Sequence, residues 1–550
     1  MENRILVAFV LSLVVFFGWG YFLSTVQPPP KPVEELAQNS NASATGKSLT
    51  NKSSSSSAGA SSSNMSSTGT SSAPSPIVPE TDRNEETVDI ATGLATFTLS
   101  NKGGVIKSII LAKYKGDTGE IVDLVKHEPG AKLPLTLETQ DSAFNAILAN
   151  AYYQISPAKN VTLSASNPQH TVTVTYNGPD GLNILRKITF TYGKYTAQVE
   201  TTITNPAMAG RNLDYYVLLG PGMGGAVSSQ TDFIVFSGAT TFVNNERVES
   251  PPDEIEGDFK EFKGDISWTA FQNKYFTTAL IPERGTKSTI VKKEGENVYV
   301  GLKFESVQSA ASAGYMIYSG TKELQLLEDT GHKLVRVLDY GWVGNKFAFL
   351  VKPLLKALQY FYGIFQNYGW AIIALTFVIK LLFFPLTHKS FKSMKGMHKV
   401  QPYVKMIQER NKDDRQKMNE ELMELYKKHR VNPLGGCLPM LLQIPVFIGL
   451  YHALFFSIEL RGAPFIWWIK DLSVADPYYV TPILMGISMF LQQKMSPAIG
   501  DPVQQKIMMF LPVFFTFLFV SFPAGLVIYW TINNVLTISQ QYYIYKIAKD

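Results

Sequence analysis

A chain of 550 residues is too long for a single hydrophobic core, so we expect at least two structural units. Its formal net charge is only +5, and no stretch interleaves basic and aromatic residues, which argues against direct nucleic-acid recognition. Cys437 is the only cysteine, which excludes an intramolecular disulfide.

The N-terminal segment predicts a membrane anchor followed by a linker. Residues 5–23 form an apolar run long enough to cross a bilayer. Gly18-Trp19-Gly20 is only a weak cleavage signal, so we favour an uncleaved transmembrane anchor over residues 1–26 and not a signal peptide. Residues 27–86 are rich in Pro and then in Ser, Ala and Thr. They lack the apolar side chains that would offset their ordering entropy, and we expect a flexible linker.

Residues 87–344 predict an all-β domain. Short runs alternate apolar and polar residues, which is typical of half-buried antiparallel strands, as in 171–176, 188–192 and 197–203. Gly193-Lys194 lies between the last two runs and favours a hairpin turn. So much strand-like material with few helical periods indicates a large β-sandwich.

Residues 345–367 predict an amphipathic helix. Asn345, Lys352, Lys356 and Gln359 fall on one helical face, and aromatic and leucine side chains occupy much of the rest. This pattern indicates a helix that lies in the membrane interface. A helix packed on the core of the β domain would give the same pattern, and that alternative stays open.

The remaining apolar segments predict five more membrane spans, which makes six in all. Two of the five are shorter than the roughly 20 residues that a normal bilayer requires, so either the membrane is locally thinned or the spans extend by a turn. Their predicted ranges are 368–386, 434–456, 478–491, 507–522 and 525–544, and the last four belong to a region of spans and short loops over 431–550.

The segment between the first two of these spans, residues 387–430, predicts a basic helical hairpin. It contains twelve Lys and Arg against six Asp and Glu, and the positive-inside rule therefore places it in the cytoplasm. Six spans then put both termini inside and the β domain outside. Met418, Leu422 and Leu425 form a narrow apolar stripe, and residues 411–414 a polar turn. The surface suits a ribosome, a targeting receptor or apolar clients, but a solvated hairpin that only sets topology is an equal alternative.

Lys380 is the first candidate functional residue, because it lies within an apolar span, where an ionised amine costs roughly 3 kcal/mol or more. Thr376 lies one turn before it on the same face. The alternative is that Lys380 snorkels toward the cytoplasmic end, which Lys389 marks nine residues later.

Other spans contribute polar side chains that could form a hydrated substrate groove with Lys380. Each of these side chains could instead form only a hydrogen bond between helices. The predicted groove consists of Lys380, Thr376, Gln443, Ser488, Gln492, Tyr529, Trp530 and Asn533, with Thr531, Asn534, Thr537 and Gln540 as further polar members.

Motifs for catalysis or cofactor binding are weak. Gly220, Gly222 and Gly225 fit G-x-G-x-x-G, but strand-like sequence follows, so no helix N-terminus would hold a phosphate. No Walker-type phosphate loop occurs, and the seven histidines lack zinc spacing. Cys437, beside two glycines, is read as a packing residue. We expect no enzymatic activity, no catalytic residue, no cofactor and no metal.

Several local motifs make the chain resemble the YidC family of membrane-protein insertases. These are Asn432-Pro433-Leu434-Gly435-Gly436-Cys437-Leu438-Pro439, Gln443-Ile444-Pro445, Asp476-Pro477-Tyr478-Tyr479 and Phe522-Pro523-Ala524-Gly525-Leu526. The resemblance implies a periplasmic β-supersandwich, a five-helix core and a hydrophilic groove open to cytoplasm and lipid. The family's groove cation is typically Arg, and the matching Lys380 keeps the charge but not the bidentate geometry.

The expected function is therefore guidance of membrane proteins into the bacterial inner membrane, alone or with the Sec translocon. The expected partners are nascent membrane-protein clients, the lipid bilayer, and a ribosome or targeting receptor at the 387–430 hairpin. Two rival functions are a transporter or channel, which inverted repeats would support, and a sugar-modifying β domain, which would need His127, His170 or His332 beside a carboxylate. The sequence has no evident repeat.

Overall fold

The structure is a computed structural model that describes residues 84–116, 119–206, 214–224, 235–255, 259–305, 310–340, 345–411, 414–429, 431, 438–495 and 502–547. The predicted anchor, nearly all of the predicted linker, Gly225 and Cys437 lie outside the described residues.

Residues 87–321 contain nineteen strands among those described. Their bounds are β1 Thr87–Ala91, β2 Ala95–Ser100, β3 Val105–Lys115, β4 Ile121–Asp123, β5 Thr136–Thr139, β6 Gln154–Ser156, β7 Val161–Thr162, β8 Gln169–Asn177, β9 Asn183–Thr191, β10 Thr196–Thr204, β11 Asp214–Leu219, β12 Gly238–Val243, β13 Glu246–Ser250, β14 Phe259–Phe262, β15 Ile266–Gln272, β16 Phe276–Arg284, β17 Thr286–Glu294, β18 Asn297–Glu305 and β19 Ala310–Thr321.

These strands form three sheets. One has nine strands in the order β13-β12-β15-β16-β19-β10-β9-β8-β6, and two have five, in the orders β4-β3-β2-β1-β7 and β14-β17-β18-β11-β5. Nearly all neighbours are antiparallel, and the parallel pair β1 and β7 is an exception. The predicted class, an all-β domain joined to a helical region, is confirmed.

Alternating side chains explain why the central strands pair as they do. In β9 and β10 every second residue is buried, so both strands present one apolar face to the core. Ala197 pairs with Phe190, and the turn between the strands holds Gly193 with a positive φ of 70°. The predicted hairpin is therefore present, because glycine adopts this backbone conformation without strain.

The core of the β domain also contains a buried cation. Arg186 on β9 is 1% exposed, and its guanidinium donates to the backbone carbonyls of Gly104 and Leu135. These contacts join the nine-stranded sheet to the loops that flank β3 and β5. A buried charge is tolerated only when such acceptors surround it.

Nine α-helices are described. Their bounds are α1 Ser142–Asn150, α2 Leu324–Thr330, α3 Ala348–Phe365, α4 Tyr368–Arg410, α5 Arg415–Lys428, α6 Leu438–Phe455, α7 Val480–Met495, α8 Pro502–Phe519 and α9 Ala524–Tyr542. Helix α1 lies within the β domain and was not predicted from the sequence.

Helix α4 is longer than the predicted span. The sequence suggested a span that ends at residue 386 and a separate hairpin from residue 387, but one helix of 43 residues covers both the span and the first arm of the hairpin. Pro385 and Pro402 lie inside it without ending it. The second arm is α5, whose N-cap Asp414 accepts a hydrogen bond from the Lys417 amide.

One described helix segment, Tyr368–Met397, is long and apolar enough to cross a membrane. Gln443–Phe455 and Met508–Phe519 are shorter apolar helices. The six-span arrangement stays a prediction.

The β domain packs against the end of α6. Ile458, just after that helix, is buried in the same apolar cluster as the core of the β domain. The Lys274 ammonium lies 3.9 Å from the centroid of the Phe455 ring, and Arg461 donates to the Lys115 carbonyl at 3.0 Å. A cation over an aromatic ring is an attractive contact. These contacts place the β domain at the end of the helices opposite to the hairpin.

Replacing Arg186 with Leu should destabilise the protein by about 2 to 4 kcal/mol, because two buried carbonyls would lose their donor while the side-chain volume is largely kept. Urea unfolding of the full-length protein in detergent would measure this. Arg284→Leu is the control, because that side chain is exposed and lies 3.6 Å from Glu200, and we expect a change within about 0.5 kcal/mol. Equal effects of the two variants would contradict the structural role of Arg186.

Candidate functional site

Helix α9 carries a series of polar side chains that contact the neighbouring helices. Its described residues contact α4, α6 and α7 through hydrogen bonds between side chains. Asn534, Thr537 and Gln540 are buried, and they recur at intervals of three residues. An unsatisfied amide in an apolar layer costs several kcal/mol, so each of these groups needs a partner on a neighbouring helix.

Lys380 on α4 reaches α9 directly. Its Nζ donates to Thr537 Oγ1 at 2.7 Å, and the Thr537 hydroxyl in turn donates to the Asn533 carbonyl at 2.6 Å. Because the one hydroxyl proton is used inside α9, the threonine oxygen presents a lone pair to the ammonium. Among the described residues no Asp or Glu lies within ion-pairing distance of Lys380. The side chain is half-buried and has a neutral partner.

A second contact joins α6 to α9 on the neighbouring turn. The Gln443 amide nitrogen donates to Asn533 Oδ1 at 2.9 Å and to the Tyr529 hydroxyl at 3.0 Å. Asn533 thus lies between the Gln443 amide and the turn that holds Thr537. Lys380, Gln443 and Asn533 therefore belong to one connected set of polar groups.

Two further contacts extend this set along α9. Asn534 donates to the Ser488 hydroxyl at 3.0 Å, and Ser488 donates to the Met485 carbonyl at 2.6 Å. Gln540 donates to the Thr387 hydroxyl on α4 at 2.7 Å. Ser488 is 5% exposed, so its hydroxyl acts here as a link between α7 and α9.

The other predicted groove residues differ in their surroundings. Thr376 is 1% exposed and its hydroxyl donates to the Ile372 carbonyl of its own helix, so its side chain packs inside the bundle, as do those of Tyr529 and Ser488. Trp530 is half-buried, with its ring centroid 4.6 Å from that of Phe447 and 5.2 Å from that of Phe519. Gln492 is half-buried near the end of α7.

Thr387 was not selected from the sequence, although a signal was present. It follows Lys380 by seven residues, which places both on one face of a continuous helix. The span predicted from the sequence ended at residue 386, so Thr387 was not placed on the same helix as Lys380. Thr537 and Asn534 were identified only as further polar members, and the structure gives them direct contacts with predicted groove residues.

The outer faces of the helices are apolar. On α4 the exposed side chains next to Lys380 include Phe377, Leu381 and Leu382, and on α8 they include Phe510 and Phe517. Water would not stabilise such surfaces, so they are suited to contact with lipid. The polar set of α9 thus lies beside an apolar outer wall.

A loop before α7 is organised around Asp476, which is 1% exposed. Burial alone would raise the pKa of this carboxyl, but hydrogen bonds from the amides of Thr481 and Tyr478 and from the Trp468 indole lower it. The same loop contacts the start of α9, where the Gly525 amide donates to the Leu472 carbonyl at 3.0 Å. Two motifs of the family resemblance therefore meet in one structural junction.

The contacts of His127 do not favour the histidine–carboxylate pair that a sugar-modifying enzyme would need. His127 Nε2 lies 3.1 Å from Asp123 Oδ2, but the same oxygen accepts from Ser108 and Oδ1 accepts from the amides of Ile109 and Val125. Asp123 thus fixes the β3–β4 junction. In the part of the chain that the structure describes, no group of three metal-ligating residues occurs.

Comparison with known proteins covers both regions. A family model described as "YidC periplasmic domain" matches residues 87–357, and one described as "60Kd inner membrane protein" matches residues 360–550. The membrane protein insertase YidC of Geobacter metallireducens is 38% identical over 558 residues. The match covers 99% of this chain and 98% of that protein. That of Citrifermentans bemidjiense is 40% identical, with both chains covered to 100%. A solved active YidC insertase with its first transmembrane domain resolved is 17% identical, with coverage of 84% of this chain and 93% of that one and a TM-score of 0.37.

The contact between Gln443 and Asn533 is expected to couple α6 to α9. A double-mutant cycle with Gln443→Leu and Asn533→Leu should give a coupling energy of about 0.6 kcal/mol, the usual size for such a contact in a membrane. Unfolding of the purified protein in lipid bicelles would measure it. The cycle of Gln443→Leu with Ser539→Ala is the control, because Ser539 donates to its own helix and should not couple. A zero energy in the first cycle would show that the contact does not join the helices.

Proposed function

The chain belongs to the YidC family of membrane protein insertases, and from this membership we propose that Lys380 and the polar face of α9 form the groove through which its clients enter the bilayer. The protein is an insertase and chaperone for integral membrane proteins in the inner membrane, and not an enzyme. The proposal concerns how this chain performs that function.

The observation that carries the proposal is the neutral partner of Lys380. Its ammonium is held by the Thr537 hydroxyl, and within the described residues it has no carboxylate to neutralise it. An ammonium at this depth attracts an acidic group more strongly than one in water, because the surrounding dielectric constant is low. An acidic residue in the short extracytoplasmic segment of a client would therefore be drawn into the groove.

The polar side chains near Lys380 would form hydrogen bonds to that segment while it crosses the apolar layer. Tyr529 and Asn533 lie one turn apart on α9, where Gln443 of α6 donates to both, and Ser488 and Gln492 lie one turn apart on α7. Each could exchange its present hydrogen bond for one to a client backbone. The apolar helix of the client would meanwhile leave along the exposed Phe and Leu side chains of α4 into lipid.

This proposal requires a multi-pass topology with the β domain in the periplasm and both termini in the cytoplasm. The basic hairpin of α5 and the end of α4 supports it, because lysine and arginine accumulate on the cytoplasmic side. We place α3 in the membrane interface, where its exposed Phe349, Tyr360 and Ile364 would contact lipid.

The same hairpin would receive the ribosome or a targeting receptor. Arg410 pairs with Glu421, and Asn411 donates to that carboxylate at 2.9 Å, so the two arms are fixed at the turn. The exposed Met406 and Met423 offer adaptable apolar contacts beside the basic side chains. The Sec translocon is a further proposed partner for clients with several spans.

Removal or reversal of the groove charge should impair insertion of single-span clients with an acidic N-terminal segment. We expect Lys380→Ala to reduce their insertion about tenfold and Lys380→Glu to reduce it further, which corresponds to an interaction of about 1.4 kcal/mol. Protease protection of the translocated segment in proteoliposomes is the measurement.

Lys389→Ala serves as the matched control, because this exposed lysine lies on the same helix outside the apolar layer, and Lys380→Arg should keep insertion. A client whose acidic residue is replaced with Lys should be inserted better by Lys380→Glu than by the unmodified protein. Normal insertion of acidic clients by both Lys380→Ala and Lys380→Glu would refute the charge mechanism. Solute flux through client-free proteoliposomes would instead favour a transporter.

A further inference from the structure

A cavity of about 770 Å³ lies where the β domain meets the first turns of α3. Its wall comes from the β12–β13 hairpin, from the 3-10 helix Leu334–Val337 with the residues that follow it, and from Ala348 and Lys352 of α3. The volume is in the range of pockets that hold small organic ligands. The proposed client groove uses none of these residues.

The wall of this cavity combines both signs of charge. Arg247 Nη1 donates to Asp339 at 2.7 Å and its Nη2 lies 2.8 Å from Glu249, so this cation is neutralised within the wall. Arg336 is exposed and forms no ion pair with any described residue. Lys352 lies 3.3 Å from Glu328, a carboxylate that also lies 3.4 Å from Lys356. Arg336 and Lys352 are therefore the cations of the wall that can bind an anion.

The position of α3 indicates where such a ligand comes from. Phe349 and Tyr360 are 69% and 68% exposed, and this apolar stripe requires lipid if it is not to face water. Lys352 lines the cavity from the same helix, one turn after Phe349. A helix that lies in the interface with its aromatic stripe in lipid therefore holds the cavity at the level of the phospholipid head groups.

We propose that this cavity binds the head group of a phosphatidylethanolamine molecule from the periplasmic leaflet. The phosphate would lie between Arg336 and Lys352, and the primary ammonium would donate hydrogen bonds to Glu249 and Asp339. The acyl chains would continue along the exposed stripe of α3. A choline head group has no N–H to donate, so the carboxylates select ethanolamine. The inference depends on the membrane placement of α3 in the proposed function.

Native mass spectrometry of the full-length protein in detergent tests this inference with added phosphatidylethanolamine or phosphatidylcholine of identical chains. We expect a preference of about tenfold for the ethanolamine lipid, about the value of one charge-assisted hydrogen bond. Arg336→Ala with Lys352→Ala should weaken both lipids. Glu249→Gln should reduce the preference for the ethanolamine lipid and keep the affinity for phosphatidylcholine. Equal binding of both lipids by the unmodified protein, or unchanged binding by the double variant, would overturn the proposal.

Matched controls separate the alternatives. Arg284→Ala removes an exposed arginine at the end of β16, which does not line the cavity, and should leave lipid binding unchanged. Inorganic phosphate at millimolar concentration should not displace the lipid; displacement would show a phosphate site and refute the lipid. Lys380→Ala should bind lipid normally while its insertion of acidic clients is impaired. Normal insertion by this variant would refute the proposed groove and leave the lipid site standing. Thermal unfolding of each variant checks that its fold is kept.

Discussion

The helical region depends on one constraint, which is that every polar group inside an apolar layer needs a partner. Helix α9 meets it at most of its buried positions by sharing amides and hydroxyls with three neighbours, through Lys380 and Thr387 on α4, Gln443 on α6 and Ser488 on α7, and Gln541 Oε1 is an exception. Lipid offers helices no hydrophobic driving force to associate, so these contacts and close packing decide which helices are neighbours. In the proposed groove, several of the groups that hold the bundle together are also those that would bind a client.

The β domain is tied to this bundle by contacts of a different kind. Ile458 enters the apolar core of the domain, and the Lys274 ammonium lies over the ring of Phe455. Both contacts lie at the end of α6 that faces the domain. Apolar burial does not depend on hydrogen-bond exchange, so this junction can stay rigid while the polar set beyond it rearranges. The domain thus gives the helices a fixed base.

Much of this architecture follows from local patterns in the sequence. The alternation in β9 and β10 and the Gly193 turn predict the hairpin, because strand periodicity and turn chemistry act over a few residues. The end of α4 at Arg410 and the Asp414 cap of α5 likewise match the predicted polar turn. The continuity of α4 through Thr387 was missed, because the loss of hydropathy there marks the edge of the apolar layer and not the end of a helix. Partners such as Lys380 and Thr537, 157 residues apart, are set by tertiary packing, which no local pattern contains.

The neutral partner of Lys380 would decide what the proposed groove can do. A carboxylate at this depth would bind the ammonium strongly, and an acidic client would then have to displace a charge that has no water to receive it. Thr537 instead presents a neutral acceptor oxygen, since its proton is used by the Asn533 carbonyl. The ammonium keeps further donor capacity for an incoming carboxylate, and the threonine loses little when the client arrives. A weak, neutral contact therefore keeps the cation positioned without saturating it, which suits a site that must capture and release many different segments.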